Sequence, residues 1–273
     1  MKKNHPGESG IHRVKGLTLM DDTREKITGV SVIMPTLNEA GNIAELIRCM
    51  VGVLQKAGIN EIEIIVVDDD SQDRTWELAS QVVCPPAHIE VVRRMENHGL
   101  TVSLSAGIKA VRYNVVVWLD CDFSHPPERV PQMLYMLDQG YDVVVNSRYV
   151  VGGGEHRVGK GGTMQRFLSR LSNWLVRFLL DASFADYTSG FVAVRIEVLQ
   201  EIPLRGDYGE YFMDFIYRAL QKKYKICELP YMAMPRRSGQ SKTGSNLLQY
   251  LRRGRKYAFA IVRLRLATLL GRL

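Results

Sequence analysis

From residue 30 to 146 the chain repeats one pattern: a short apolar run, then a longer polar segment with helically spaced apolar positions. The runs are residues 30–34, 62–67, 89–92, 115–119 and 142–146, all rich in Val or Ile. Such near-continuous runs predict strands buried on both faces. Between them, residues 41–56 carry Ile43, Leu46, Ile47, Met50 and Leu54, the spacing of an amphipathic helix that stops at Gly58. Helices are predicted likewise over 73–83, 100–112 and 127–138, the last stopping at Gly140. The alternation predicts an α/β fold with a mostly parallel sheet and helices on both faces.

After residue 146 the period breaks. Residues 150–162 form a Gly-rich loop with Arg and Lys. Helices are predicted over 164–180 and 211–221, and strands over 191–194 and 225–230. From Asn246 to the end runs a basic, amphipathic helical stretch, expected to be interrupted at Gly254. This gives three regions: a polar extension (1–28), an α/β domain (29–245) and a helical appendage (246–273).

A chain of 273 residues, 46 % apolar, suffices for one large domain with an appendage. Its four cysteines form no C-x-x-C pair, which predicts neither a zinc site nor a disulfide framework. The first 28 residues lack the apolar core of a signal peptide, and no segment reaches the ~18 uninterrupted apolar residues of a spanning helix. Charge is unevenly spread. The net charge is +7, yet ten Lys/Arg and no Asp/Glu fall between Arg236 and Leu273, so the remainder is net negative. A basic end of this kind points to phosphates, of a nucleic acid, a lipid surface or a ligand. With only Tyr250, Tyr257 and Phe259 in it, the tail lacks an interleaved aromatic platform, and nucleic acid is not expected as a partner.

Three predicted strands run out into acids: Pro35-Thr36-Leu37-Asn38-Glu39, Asp68-Asp69-Asp70-Ser71 and Asp120-Cys121-Asp122. In a parallel sheet these ends open on one edge, where ligands bind. A single acid there is a common helix cap. Three together call for a cation or ligand, because burying that much like charge is costly. Asp120 and Asp122 make a hard oxygen site suited to Mg²⁺ or Mn²⁺ bridging a diphosphate. A nucleotide supplies that diphosphate, and the other carboxylates can accept from base N–H groups and ribose hydroxyls. No G-x-G-x-x-G follows the first strand. Residues 154–161 approach a phosphate loop but end in Gly161 where a Ser or Thr would bind Mg²⁺. They read instead as a basic loop that orders over a phosphate ligand. His125, ahead of Pro126-Pro127, is expected to shape its turn, and Cys121 to face the core.

These acidic ends, together with Asp73-Arg74-Thr75, Phe123-Ser124-His125-Pro126-Pro127-Glu128, Ser147-Arg148-Tyr149, Thr188-Ser189-Gly190-Phe191 and Arg236-Arg237-Ser238-Gly239-Gln240-Ser241-Lys242, resemble the inverting GT-A family-2 glycosyltransferases. The resemblance is closest to their dolichol-phosphate mannosyltransferase (polyprenol monophosphomannose synthase) branch and covers about residues 30–250. It implies a Rossmann-like GT-A domain. It also implies that Pro35, Thr36, Glu39, Asp68, Asp69, Asp70 and Asp120 line the donor nucleotide, and that Asp120, Asp122 and Ser124 hold Mg²⁺ or Mn²⁺. Arg148, Arg166 and Ser169 would meet the acceptor phosphate, and Arg236, Arg237 and Lys242 the donor diphosphate. Asp122 and Arg148 are the implied catalytic pair.

The implied reaction moves mannose from GDP-mannose to dolichyl or another polyprenyl phosphate, with a UDP-sugar such as UDP-glucose as the alternative donor. The implied setting is peripheral, at the cytoplasmic face of a membrane, with a membrane surface or a membrane-embedded subunit as partner. Phe259, Ile261, Val262, Leu264, Leu266 and Leu269 would face the bilayer boundary. One departure stands out: family members usually carry a Lys or Arg in the stretch matching residues 96–100, and this chain has none there. The chemistry suits the residues. An acceptor phosphate is already anionic at neutral pH and needs no strong base. The task is to hold two anionic groups together and stabilise the leaving diphosphate.

Overall fold

The computed structural model describes the backbone of residues 26–156, 162–238 and 247–272, and their side chains except over 162–168 and 247–253. The first half follows the predicted alternation: β1 (Gly29–Thr36), α1 (Ile43–Lys56), β2 (Glu61–Asp68), α2 (Thr75–Ser80), β3 (His88–Arg93), α3 (Leu100–Ala110), β4 (Val115–Trp118), a 3-10 turn (Pro127–Arg129), α4 (Val130–Asp138) and β5 (Val143–Ser147). Then come β6 (Gly154–Glu155), α5 (Gly162–Leu179), β7 (Val192–Arg195), α6 (Ile196–Glu201), α7 (Glu210–Gln221), β8 (Ile226–Pro230), β9 (Met232–Ala233) and α8 (Leu247–Leu269). The sequence pattern missed β6, β9 and α6, each six residues or fewer, too short for a periodicity to register.

Seven strands form one sheet in the order β3-β2-β1-β4-β7-β5-β8. The pairs β1–β2, β1–β4, β2–β3 and β5–β8 are parallel, while β7 lies antiparallel between β4 and β5. Successive side chains on a strand face opposite sides, and here both sides are apolar. Val30, Val32 and Met34 of β1 join a core with Ile43, Leu46, Ile47 and Met50 of α1 and Met133 and Leu137 of α4. Ile33 points the other way, to Leu104 of α3, Trp118, and Phe212, Phe215 and Ile216 of α7. Gly107 lets α3 approach β1 closely: a Cβ there would lie 2.6 Å from Ile33 Cγ2.

Because β1, β2 and β4 are parallel, their C-terminal ends, with all three acidic segments, share one edge as expected. Each end turns through a left-handed, non-glycine residue: Asn38 (φ 54°), Asp70 (φ 53°) and Phe123 (φ 62°). Asn and Asp tolerate this region, but for Phe it costs about 1 kcal/mol or more, a strain that clusters at functional turns. A cavity of about 480 Å³ opens at the opposite sheet edge, among Gly29, Val115 and Arg195, away from those acids.

Two expectations for the C-terminal stretch need correction. Helix α8 runs unbroken through Gly254, since a solvent-facing glycine weakens a helix without ending it. Nor do all its apolar residues face outward. Leu264 and Ala260 are buried in the α7-side core with Ile261 packed beside them, and Arg263 reaches buried Asp214 of α7 at 2.6 Å. Phe259, Val262, Leu266 and Leu269 remain exposed.

Candidate active site

The site is built on the shared edge. At the end of β1, Thr36 Oγ1 donates to Asp68 Oδ2 (2.8 Å). Asp68 also accepts from Ser71 N (2.8 Å) and Ser71 Oγ (2.6 Å), which folds the β2 end into a tight turn. Pro35, half-buried, ends the same strand one residue earlier. Asp69 is engaged as fully: Oδ1 meets Arg94 Nη1 (2.5 Å) and Ser103 Oγ (2.6 Å), and Oδ2 accepts from Gly99 N (2.6 Å). Asp70, more exposed, pairs with Arg93, whose guanidinium lies 4.1 Å above the Trp76 ring. Asp68 and Asp69 therefore anchor the loops that frame the cleft, and a ligand reaching them would share carboxylates that are already bonded.

The 120–125 turn presents two carboxylates in different settings. Asp120 has 56 % of its side chain open, with His125 Nε2 4.0 Å away. Asp122 is nearly closed off. Its Oδ1 accepts from Ser124 N (2.9 Å), and its Oδ2 holds Arg236 Nη2 at 2.8 Å. The same guanidinium reaches Glu39 Oε1 through Nη1 (2.9 Å), and Asn42 Nδ2 secures the other oxygen of Glu39 (2.8 Å). The backbone beneath Arg236 is tied down by Met234 N to Ser124 O (3.1 Å) and Arg237 N to Asp122 O (3.0 Å). Arg237 itself turns away, to Glu45 Oε1 (2.6 Å) and the Phe123 ring. These donors fit a hard divalent cation. They are carboxylate oxygens, one of them open, and Asp122 and Glu39 already neutralise a positive charge. Asp120 and Asp122 would hold the cation, with Ser124 beside them, and it would neutralise a leaving diphosphate.

Across the cleft, at the end of β5, Arg148 forms a fork with buried Asp186: Nε to Oδ2 (2.9 Å) and Nη2 to Oδ1 (2.8 Å). Arg148 N also donates to Asp186 Oδ2 (3.0 Å), and Nη2 reaches Thr188 Oγ1 (2.7 Å). Nη1 has no partner among the described residues. Beside it, Tyr149 OH and Ser169 Oγ lie 2.9 Å apart and join the β5 end to α5. Arg166 lies on α5 with its side chain outside the described residues, as does all of Lys242. The basic loop of 154–161 is described only up to residue 156.

The Glycosyl transferase family 2 model matches residues 31–203. The chain belongs to glycosyltransferase family 2. This transferase is 35 % identical, over 82 % of its length, to a dolichol-phosphate mannosyltransferase of Pyrococcus furiosus, of which the chain spans 62 %. It is also 35 % identical to a polyprenol monophosphomannose synthase of Mycolicibacterium smegmatis, over 79 % of this chain and 82 % of that one. An undecaprenyl-phosphate 4-deoxy-4-formamido-L-arabinose transferase of Edwardsiella ictaluri is 29 % identical, over 79 % of this chain and 63 % of that one. Among solved structures, glucosyl-3-phosphoglycerate synthase of Mycobacterium tuberculosis, in complex with Mn²⁺, UDP and glucosyl-3-phosphoglycerate, superposes with a TM-score of 0.64. At 19 % identity, over 87 % of this chain and 80 % of that one, the likeness bears on the GT-A fold.

Electrostatics divides the transferase's cleft into two halves. Desolvation raises the Asp120 pKa, with Asp122 adding to the rise and His125 and Arg236 opposing it; water at the open carboxylate screens part of this. Burial lowers the pKa of His125. Its Nδ1 accepts from Asp120 N (3.0 Å), and its ring stacks on Phe191 at 4.9 Å. It shapes its turn, as its place before two prolines led us to expect. In the other half, burial alone would lower the Arg148 pKa, but the Asp186 charge and hydrogen bonds hold it well above the ordinary value. Burial likewise works to raise the pKa of Asp186, and Arg148 overrides it to leave a net depression.

Sequence reasoning missed Asp186 and Arg94, and it placed Thr188 within a motif without giving it a role. Asp186 had a legible signal, an acid two residues before a Thr at a strand approach, where its side chain closes an Asx turn by accepting from Thr188 N (3.1 Å). No Lys or Arg lies within residues 96–100, but Arg94 stands just before them. It enters that loop from two residues upstream and donates to Glu96 O, Asn97 O and Asp69.

Proposed function

We propose that this chain is an inverting transferase that moves mannose from GDP-mannose to dolichyl or another polyprenyl phosphate with Mg²⁺ or Mn²⁺. The observation that carries this reading is one cleft with two anion seats. One is the wall of Asp120, Asp122 and Arg236, suited to a cation-bridged diphosphate. The other is Arg148, held by Asp186 so that Nη1 remains for a second phosphate. Pro35, Thr36, Glu39, Asp68, Asp69 and Asp70 frame the nucleotide, while Ser169 and Arg166 are assigned to the acceptor side. The three relatives' names share a polyprenyl-type phosphate; two of them name mannose and the third a modified arabinose. The acceptor class is thus better supported than the donor. An anionic phosphate nucleophile also suits a site in which His125 is buried and committed to its own turn.

The test is transfer of labelled mannose from GDP-mannose to a polyprenyl phosphate, with UDP-glucose as the competing donor. Product from GDP-mannose alone is expected. Product from UDP-glucose alone would move the assignment to the alternative donor, and no lipid-linked product from either would overturn it.

The acceptor sets the location, which we assign to the cytoplasmic face of a membrane. No described helix is long and apolar enough to cross a bilayer. Helix α5 instead exposes Leu171, Leu175 and a stacked pair, Trp174 and Phe178, flanked by Arg170. Helix α8 exposes Phe259, Val262, Leu266 and Leu269 among Arg255 and Arg265. Aromatic and aliphatic side chains interleaved with Arg suit a headgroup boundary on an anionic surface. Deleting α8 would strip Leu264 from the core, so the test uses exposed positions. Phe259→Ser with Leu266→Ser should weaken co-sedimentation with anionic vesicles about ten-fold, from the apolar area lost. Unchanged sedimentation would leave a membrane-embedded subunit as the partner.

A further inference from the structure

We propose that in the ligand-free protein Arg236 takes the place of the cation at Asp122, so that a divalent ion binds only by displacing it, and that the incoming diphosphate is what draws it off. This deepens the cation–diphosphate reading above and rests on it.

The geometry is that of an occupied seat. Arg236 spans two nearly buried carboxylates, Glu39 (6 % exposed) and Asp122 (4 % exposed), at 2.9 and 2.8 Å. Two buried acids facing one cleft need a counter-charge, and the guanidinium supplies it with a fork that reaches both. Asp120, two residues from Asp122, holds no such partner and stays open. The result is half of a cation site presented to solvent and half closed by the protein's own cation.

The surroundings allow the guanidinium to leave without the chain moving. Backbone bonds fix the chain on both sides of it, at Met234 and Arg237. The Arg237 side chain is held at Glu45, and Ser238 Oγ is held at Asn42 Oδ1 (2.7 Å). When Arg236 swings out, Glu39 keeps Asn42 Nδ2 and Asp122 keeps the Ser124 amide, so neither acid is stripped of partners. A bare divalent ion must evict Arg236 into water. An ion arriving with a nucleotide diphosphate offers Arg236 a new anionic partner within the same cleft. Cation and diphosphate binding are thereby coupled through one side chain, and by linkage each strengthens the other by the same factor.

The test measures Mn²⁺ binding to the nucleotide-free protein by loss of the free-ion EPR signal, with GDP and UDP added in separate arms. Arg236→Gln vacates the seat and removes the charge. Arg236→Lys keeps the charge but loses the fork that spans both acids. Mn²⁺ alone should bind both variants about ten-fold tighter than the wild type, within the usual range of a coupling. The gain in Mn²⁺ affinity on adding nucleotide should shrink in both. If only Arg236→Gln tightens, general charge screening explains the effect and the seat is wrong. If neither variant tightens, while the wild type takes up Mn²⁺ with nucleotide, the exchange is overturned and the cation site stands. If no protein binds Mn²⁺ even with nucleotide, the cation–diphosphate reading falls as well. Circular-dichroism melts establish that both variants are folded.

Discussion

Asp122→Asn is expected to lower sugar transfer about a thousand-fold while leaving the fold intact. The substitution keeps the side chain's shape, and the Asn carbonyl can still accept from Ser124 N. What it removes is the negative charge that faces Arg236 and, with Asp120, would hold a cation on the leaving diphosphate. Losing one preorganised electrostatic contact to developing charge costs about 3–4 kcal/mol of barrier, which is two to three orders of magnitude in rate. Stability should change far less. Arg236 keeps Glu39 and is itself partly exposed, so its charge is not stranded. Initial rates of labelled mannose transfer at saturating Mn²⁺, beside thermal melts, separate the two effects. A variant that melts normally and transfers within ten-fold of wild type would falsify the assignment of Asp122 to the diphosphate wall.

How far this wall was readable from the sequence depends on where each partner lies in the chain. The acids at Glu39, Asp68 and Asp122 follow directly from strand runs that end in carboxylates, and a parallel sheet puts them on one edge. That step needs only the periodicity and the chirality of β-α-β connections. Which acid is spent inside the protein does not follow. Asp69 is consumed by Arg94, Gly99 and Ser103, contacts set by the path of a loop with no periodicity to read. Arg236 meets Glu39 across 197 positions of sequence, and the Arg148 fork meets Asp186 across 38. The antiparallel seating of β7 between β4 and β5 is equally silent, because four apolar residues carry no direction. On α8 the basic, apolar composition was clear, but the split between Leu264 inward and Phe259 outward depends on what α7 offers to cover it.

The Arg148–Asp186 pair is expected to be the costliest to break. Asp186→Asn should destabilise the protein by about 3–5 kcal/mol and abolish transfer. The reason is what remains behind: a guanidinium only 11 % exposed, with its counter-charge gone. Asn can still accept from Thr188 N or Arg148 N, but not in the charged bidentate fork. The pH dependence has a definite sign. Asp186 is depressed below its ordinary value of 3.8 by Arg148, so the pair's contribution is complete above that value and is lost as pH falls through the lower folded one. Urea denaturation at pH 7 should therefore show the full gap between wild type and Asp186→Asn, and the gap should close in acid below about pH 4. A gap that held constant in acid would mean that Asp186 does not act through its charge. Replacing both partners, Arg148→Met with Asp186→Asn, separates folding from function. With no guanidinium left stranded, and with the Asn carbonyl still accepting from the backbone N–H at position 148 or from Thr188 N, much of the lost stability should return. Transfer should stay absent, because stability needs a satisfied interior whereas the proposed seat for the acceptor phosphate needs Arg148 Nη1.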